Sequence, residues 1–177
     1  SSFVKIGAQN CHPFENGAFT GEISIPMLKQ YGVDYIIVGH SERRELFHED
    51  NTYINKKVQS IIESGLNAIL CIGESMHERQ TGQTFTVLKT QINRCLGNID
   101  QKYHEQITIA YEPIWAIGAG VSADFFQIEE AHGYIREQLR KLYDEETSQN
   151  IRILYGGSVN SKNSKEILKI ENVDGGL

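Results

Sequence analysis

The sequence predicts an α/β protein built by repeating one βα unit, and two observations predict it. Six short runs, continuously apolar and largely β-branched, recur along the chain, and the segments between them carry helical periodicity. Runs without polar alternation bury both faces, as parallel strands do. Units repeated in this order form either a doubly wound open sheet or a closed (β/α) barrel, and periodicity alone leaves both open.

The strands are expected in FVKIGA from Phe3, DYIIVG from Asp34, NAILCIG from Asn67, ITIAYEP from Ile107, IRILYGG from Ile151 and VDGGL from Val173. Residues 2–8 read as a strand already under way, and 173–177 as a second strand-like stretch. After the first strand, Ser24, Pro26 and Gly32 stand where a helix start, first turn and stop belong. After the second, Ile54, Val58, Ile61 and Ile62 make an apolar stripe that Gly65 ends. The stripe Ile128, Ala131, Ile135, Leu139 and Leu142 follows the fourth, with Ser122 as its expected N-cap. No linker or change of composition divides the chain, so a single domain is expected.

At 40% apolar and 23% charged, the 177 residues suit a folded, soluble protein and exclude a disordered one. The net charge of −6, with no lysine and arginine run longer than two, argues against a nucleic-acid groove or an anionic membrane surface. No segment nears the ~20 apolar residues of a membrane span, and no signal peptide is read at residues 1–20. The three cysteines, Cys11, Cys71 and Cys95, are an odd and widely spaced set, and no Asn-x-Ser/Thr occurs. A reducing, cytoplasmic compartment is expected. His77-Glu78 lacks the second histidine of H-E-x-x-H and the cysteines lack ligand spacing, so no metal site is expected. His12, His48, His104 and His132 read as surface or capping residues, and Cys71 as an inert core residue.

In βα architectures a site forms where strands end. Here those positions hold Gln9 and Asn10; His40, Ser41 and Glu42; Gly73 and Glu74; Glu112; and Gly156, Gly157 and Ser158. His40 and Glu112, on different strands, have the chemistry of a proton-transfer pair beside a carbonyl. A neutral His40 at a helix N-terminus can donate to a carbonyl oxygen, or it is merely hydrogen-bonded at a strand end. Glu112, beside Ile114 and Trp115, is a desolvated base or an ion-pair partner for an arginine. Glu42 is either a partner of His40 or a complement to the helix dipole. Pro113, Ile114, Trp115, Ala116, Ile117, Gly118, Ala119 and Gly120 suggest a lid with small residues as hinges. The G-x-G-x-x-A match at residues 118–123 is rejected as a dinucleotide fingerprint, because it does not follow its strand directly. Gly156, Gly157 and Ser158 form either an anion nest suited to phosphate or a tight βα turn.

Six segments then join: Gly7-Ala8-Gln9-Asn10, Gly17 to Ser24, Val38 to Arg44, Cys71-Ile72-Gly73-Glu74, Ala110 to Gly118, and Tyr155 to Val159. In this order, from end to end, they closely resemble triosephosphate isomerase. The resemblance implies a partial (β/α)8 TIM barrel in which Phe3 begins the third strand and Leu177 ends near the eighth, as one incomplete domain over residues 1–177. It implies an isomerase that interconverts dihydroxyacetone phosphate and D-glyceraldehyde 3-phosphate through an enediolate, with no cofactor. By the same resemblance Glu112 is the base and His40 the neutral electrophile, with Ser41 and Glu42 in the hydrogen-bonded shell beside it. Gly118 and Ser158, with Gly156 and Gly157, match phosphate contacts. Residues 10–24, including Asn10 and Thr20, match a loop that reaches into a second subunit, which implies a homodimer. Ala119 stands where the lid usually has threonine. The first two βα units with their Asn-x-Lys segment, and the Gly-Gly site after strand eight, are expected to be missing, so these 177 residues alone are expected to be inactive. The alternative is a remnant of the same fold that binds phosphate or assembles without catalysis.

Overall fold

The computed structural model describes residues 3–117 and 123–177. Strands β1 (Gly7–Ala8), β2 (Tyr35–Val38), β3 (Asn67–Ile72), β4 (Ile107–Tyr111), β5 (Arg152–Tyr155) and β6 (Gly175–Gly176) form one parallel sheet. Each strand pairs with the next in sequence. A doubly wound sheet would reverse its strand order at a switch point; this uninterrupted order is the winding of a barrel. The Arg152 guanidinium of β5 comes within 3.5 Å of the Tyr35 hydroxyl of β2. In a flat sheet the roots of those side chains would stand about 14 Å apart, so this contact fits a curled, partial barrel.

Helices return the chain between strands: α1 (Ile25–Gln30), α2 (Ser41–Leu46), α3 (Asn51–Glu63), α4 (Met76–Gln80), α5 (Thr84–Leu96), α6 (Phe125–Leu142), α7 (Glu145–Asn150) and α8 (Ser164–Ile167). α3 packs on α5, and α5 on α6. In α3 the expected stripe of Ile54, Val58, Ile61 and Ile62 is buried, and Asp50 caps the helix by accepting from the Tyr53 N–H at 2.7 Å. Gly32 and Gly65, both at positive φ, follow α1 and α3 as the stop signals require. In α6 the N-cap is Asp124, in a reciprocal capping box with Gln127, instead of Ser122, which lies outside the described residues. Asp124 Oδ1 accepts from the Gln127 N–H and Gln127 Oε1 from the Asp124 N–H, so the pair satisfies two free N–H groups and the helix starts there.

Burial on both faces holds for the central strand β4, all of it buried, but not for the start of the chain. Among the described residues Gly7 and Ala8 register with β2 and the Ile6 carbonyl accepts from the Tyr35 N–H at 3.2 Å, while the Phe3, Val4 and Ile6 side chains are exposed. Two histidines also depart from expectation. His12 is buried and packs on Phe19, with ring centroids 4.1 Å apart. His132 is buried on α6, joined through Nδ1 to the Asn172 carbonyl at 2.8 Å, and burial pushes it down to about 4. The three cysteines are buried and unpaired, and burial raises all three thiols. Among the described residues no helix is long and apolar enough to cross a membrane.

Candidate active site

The carboxyl ends of the strands face a cleft of about 420 Å³ lined by Gln9, Ile37, His40, Glu112, Gly156 and Ser158, among others. His40 follows β2 and is the N-cap of α2. Its Nδ1 accepts from the Glu42 N–H at 3.3 Å, so in the neutral ring the proton sits on Nε2. That Nε2 lies 2.9 Å from Glu112 Oε1. The backbone beneath His40 is braced by Arg44, which donates to the Gly39 carbonyl at 2.7 Å and the Cys71 carbonyl at 3.0 Å. The Glu42 side chain is exposed, with its carboxylate 3.8 Å from His40 Nδ1; its closer contact with the ring is the backbone N–H.

Glu112 is only 3% exposed. Its Oε2 accepts from the Ser41 N–H at 3.1 Å, and its own N–H donates to the Ile72 carbonyl at 2.7 Å. Burial raises its carboxyl above the usual range, against the opposing pull of His40, the Ser41 N–H and Arg44. The carboxylate is therefore a stronger base than a solvated one, yet it keeps partners on both oxygens.

Glycines make room for it. A methyl on Gly156 would meet Glu112 Cγ at 3.0 Å, and one on Gly73 would overlap the Glu112 carbonyl oxygen. The Gly156 N–H donates to the Tyr111 carbonyl at 2.7 Å and Ser158 Oγ to the Ala116 carbonyl at 3.2 Å, so two of the expected nest's donors already have acceptors. Gly156, Gly157 and Ser158 all line the cleft, and Gly156 there gives clearance to the carboxylate. Gly156→Ala is expected to lower kcat by about tenfold in a completed barrel, short of the ~10²-fold of a 1 Å misplacement, and to cost some stability, because the methyl would also meet the Tyr111 carbonyl oxygen at 3.1 Å. An unchanged kcat would show that the clearance does not matter.

Of the expected lid, Pro113 leads into a 3₁₀ turn at Ile114–Ala116, and Ile117 reaches the cleft rim. Gly118, Ala119 and Gly120 lie outside the described residues. The base of this loop is held by Glu74, whose Oε1 accepts from Trp115 Nε1 at 3.0 Å, the Tyr111 hydroxyl at 3.2 Å and Arg79 at 2.9 Å. Sequence position marked Glu74 as a strand-end residue without revealing this task. Asn10 and Thr20 do not line the cleft; Asn10 Oδ1 accepts from Lys57 Nζ at 2.8 Å, and Thr20 is exposed. Arg44 and Gln91 were not singled out from the sequence, because neither stands directly at a strand end.

The family model described as triosephosphate isomerase matches residues 1–177. A triosephosphate isomerase of Alkaliphilus metalliredigens is 49% identical over 177 residues, covering 100% of this chain and 71% of the relative. One of Syntrophotalea carbinolica is 47% identical over 176 residues, covering 99% and 70%. One of Aquifex aeolicus is 49% identical over 172 residues, covering 97% and 69%.

Proposed function

The chain belongs to the triosephosphate isomerase family, and from that premise we propose that, in a completed barrel, it interconverts dihydroxyacetone phosphate and D-glyceraldehyde 3-phosphate. The observation that carries the assignment of roles is the 2.9 Å approach of His40 Nε2 to Glu112 Oε1, with the Glu42 N–H occupying Nδ1. Glu112 removes a proton from the carbon beside the substrate carbonyl. His40 donates its Nε2 proton in a hydrogen bond to the carbonyl oxygen, where negative charge develops, and so stabilises the enediolate. The proton of the substrate hydroxyl then passes to the former carbonyl oxygen beside His40 Nε2 while Glu112 returns its proton to the neighbouring carbon, so hydroxyl and carbonyl exchange places without a net change in oxidation state. Substrate lies between the two side chains and takes the place of their mutual hydrogen bond.

Ser41 takes part through its N–H, which holds the second oxygen of the base. Gly157 and Ser158, with Gly118, supply part of the phosphate site, and residues 113–120 supply the lid. Residues 10–24 support a homodimer, in keeping with the exposed Phe14, Phe19 and Ile23 on that loop. The acidic balance and the unpaired cysteines suit a cytoplasmic setting without nucleic-acid partners. Residues 1–177 form one incomplete barrel domain, inactive alone, whose sheet has β1 and β6 at its edges.

The test is turnover of dihydroxyacetone phosphate in heavy water by the chain completed with the remaining βα units of a relative. Isomerisation with deuterium entering the carbon-bound position is expected. Binding of inorganic phosphate with neither exchange nor isomerisation would support the non-catalytic remnant instead.

A further inference from the structure

We propose that Gln91, in the middle of α5, is a positioning residue that holds the backbone of Glu112 at the height the proton transfer needs. This rests on Glu112 being the base. Gln91 is buried, and its side-chain amide holds both backbone groups of one glycine: Oε1 accepts from the Gly73 N–H at 2.8 Å, and Nε2 donates to the Gly73 carbonyl at 3.1 Å. The Gly73 N–H belongs to the same peptide unit as the Ile72 carbonyl, and that carbonyl accepts from the Glu112 N–H at 2.7 Å. A trans peptide points its N–H and C=O in opposite directions, so Gln91 on one side and Glu112 on the other are joined through a single rigid plane. The fit is close as well, since Gly73 has no room for a side chain against the Glu112 carbonyl.

The amide acts as an extra strand for β3. Past Ile72, β3 and β4 no longer pair as strands, and the peptides that carry the site would otherwise have only one neighbour. Gln91 supplies the second. It can do so rigidly because Leu88, Ile92 and Cys95, around it on α5, are all buried. A backbone fixed on both sides leaves the carboxylate to move only by side-chain rotation. That suits a group that must deliver a proton to two adjacent carbons without drifting.

The test uses the completed barrel with Gln91→Leu, Gln91→Glu and Glu112→Gln, and the double variant Gln91→Leu/Glu112→Gln. Gln91→Leu is expected to lower kcat by about 10- to 100-fold while KM stays within about threefold, because misplacing the base harms the transition state more than binding. Gln91→Glu keeps an acceptor for the Gly73 N–H and is expected to recover part of that loss. It also serves if the leucine variant does not fold. In the Glu112→Gln background, Gln91→Leu should bring no further fall in kcat, since the base it positions is already gone. Equal losses in both backgrounds, or a Gln91→Leu enzyme that is less stable but has full kcat, would overturn the proposal and leave Glu112 as the base. Nearly full activity in Glu112→Gln itself would instead remove the reading on which the proposal rests.

Discussion

Glu112→Gln in the completed barrel is expected to lower kcat by 10² to 10⁴-fold, roughly the range for loss of a general base, while KM changes little. The amide keeps the volume of the carboxylate and can still accept from the Ser41 N–H, which now lies 3.1 Å from Oε2. It cannot take a proton from carbon. The same carboxylate sets a pH dependence. Its native pKa is raised, mainly by burial, so the acid limb of kcat/KM should fall above the ordinary 4.5. Stability moves the opposite way. Between 4.5 and the raised native value the folded state holds more protons than the unfolded one, so Glu112 weakens the fold as pH climbs through that window. At neutral pH the glutamine variant should therefore be at least as stable as the parent. A variant that keeps more than about a tenth of kcat would show that another group takes the proton.

That pairing of function with instability shows what a sequence can reveal here. The parallel strands and the helix stripes were legible, because β-branched runs and a 3.6-residue period report burial directly, as Ile54, Val58 and Ile61 do. His40 and Glu112 were legible because strand-end position is itself a sequence property. The direct contact between them was not, since it depends on how strands β2 and β4 curl toward one another. The engagement of Gly156 was not legible for a related reason: a Gly-Gly-Ser turn has the same letters whether it is an anion nest or a tight βα turn, and the bond from the Gly156 N–H to the Tyr111 carbonyl appears only in the fold. Gln91 was invisible because it lies mid-helix, 18 residues from the glycine it grips. His132 reads in sequence as a surface or capping residue, as a polar residue beside an apolar stripe usually is, yet it is buried, and its Asn172 partner is 40 residues away.

A buried charge network links the start of the loop at residues 10–24 to Lys57, 47 residues on from Asn10, and breaking it should produce a large loss of stability. Lys57 of α3 is 1% exposed, and its Nζ donates to Glu49 Oε1 at 2.7 Å and to Asn10 Oδ1 at 2.8 Å. Arg43 of α2 donates to the same Glu49 oxygen at 2.7 Å while its guanidinium lies over the Phe47 ring. One lysine thus ties α3 to the segment before it and to the start of the loop. Lys57→Met keeps the length of the side chain but leaves Glu49 buried with Arg43 alone, and removing one partner of a buried pair typically costs about 3–5 kcal/mol. Urea unfolding of the completed barrel should show a loss of that size, and amide exchange in residues 10–24 should quicken as Asn10 is released. Lys57→Met/Glu49→Met should recover most of the stability, because no buried carboxylate is then left with half its partners, while the faster exchange persists. A single variant that loses no more than ~1 kcal/mol would place this pair with exposed ones that contribute little. Unchanged exchange over the loop would mean that Asn10 is held by its own segment and not by Lys57.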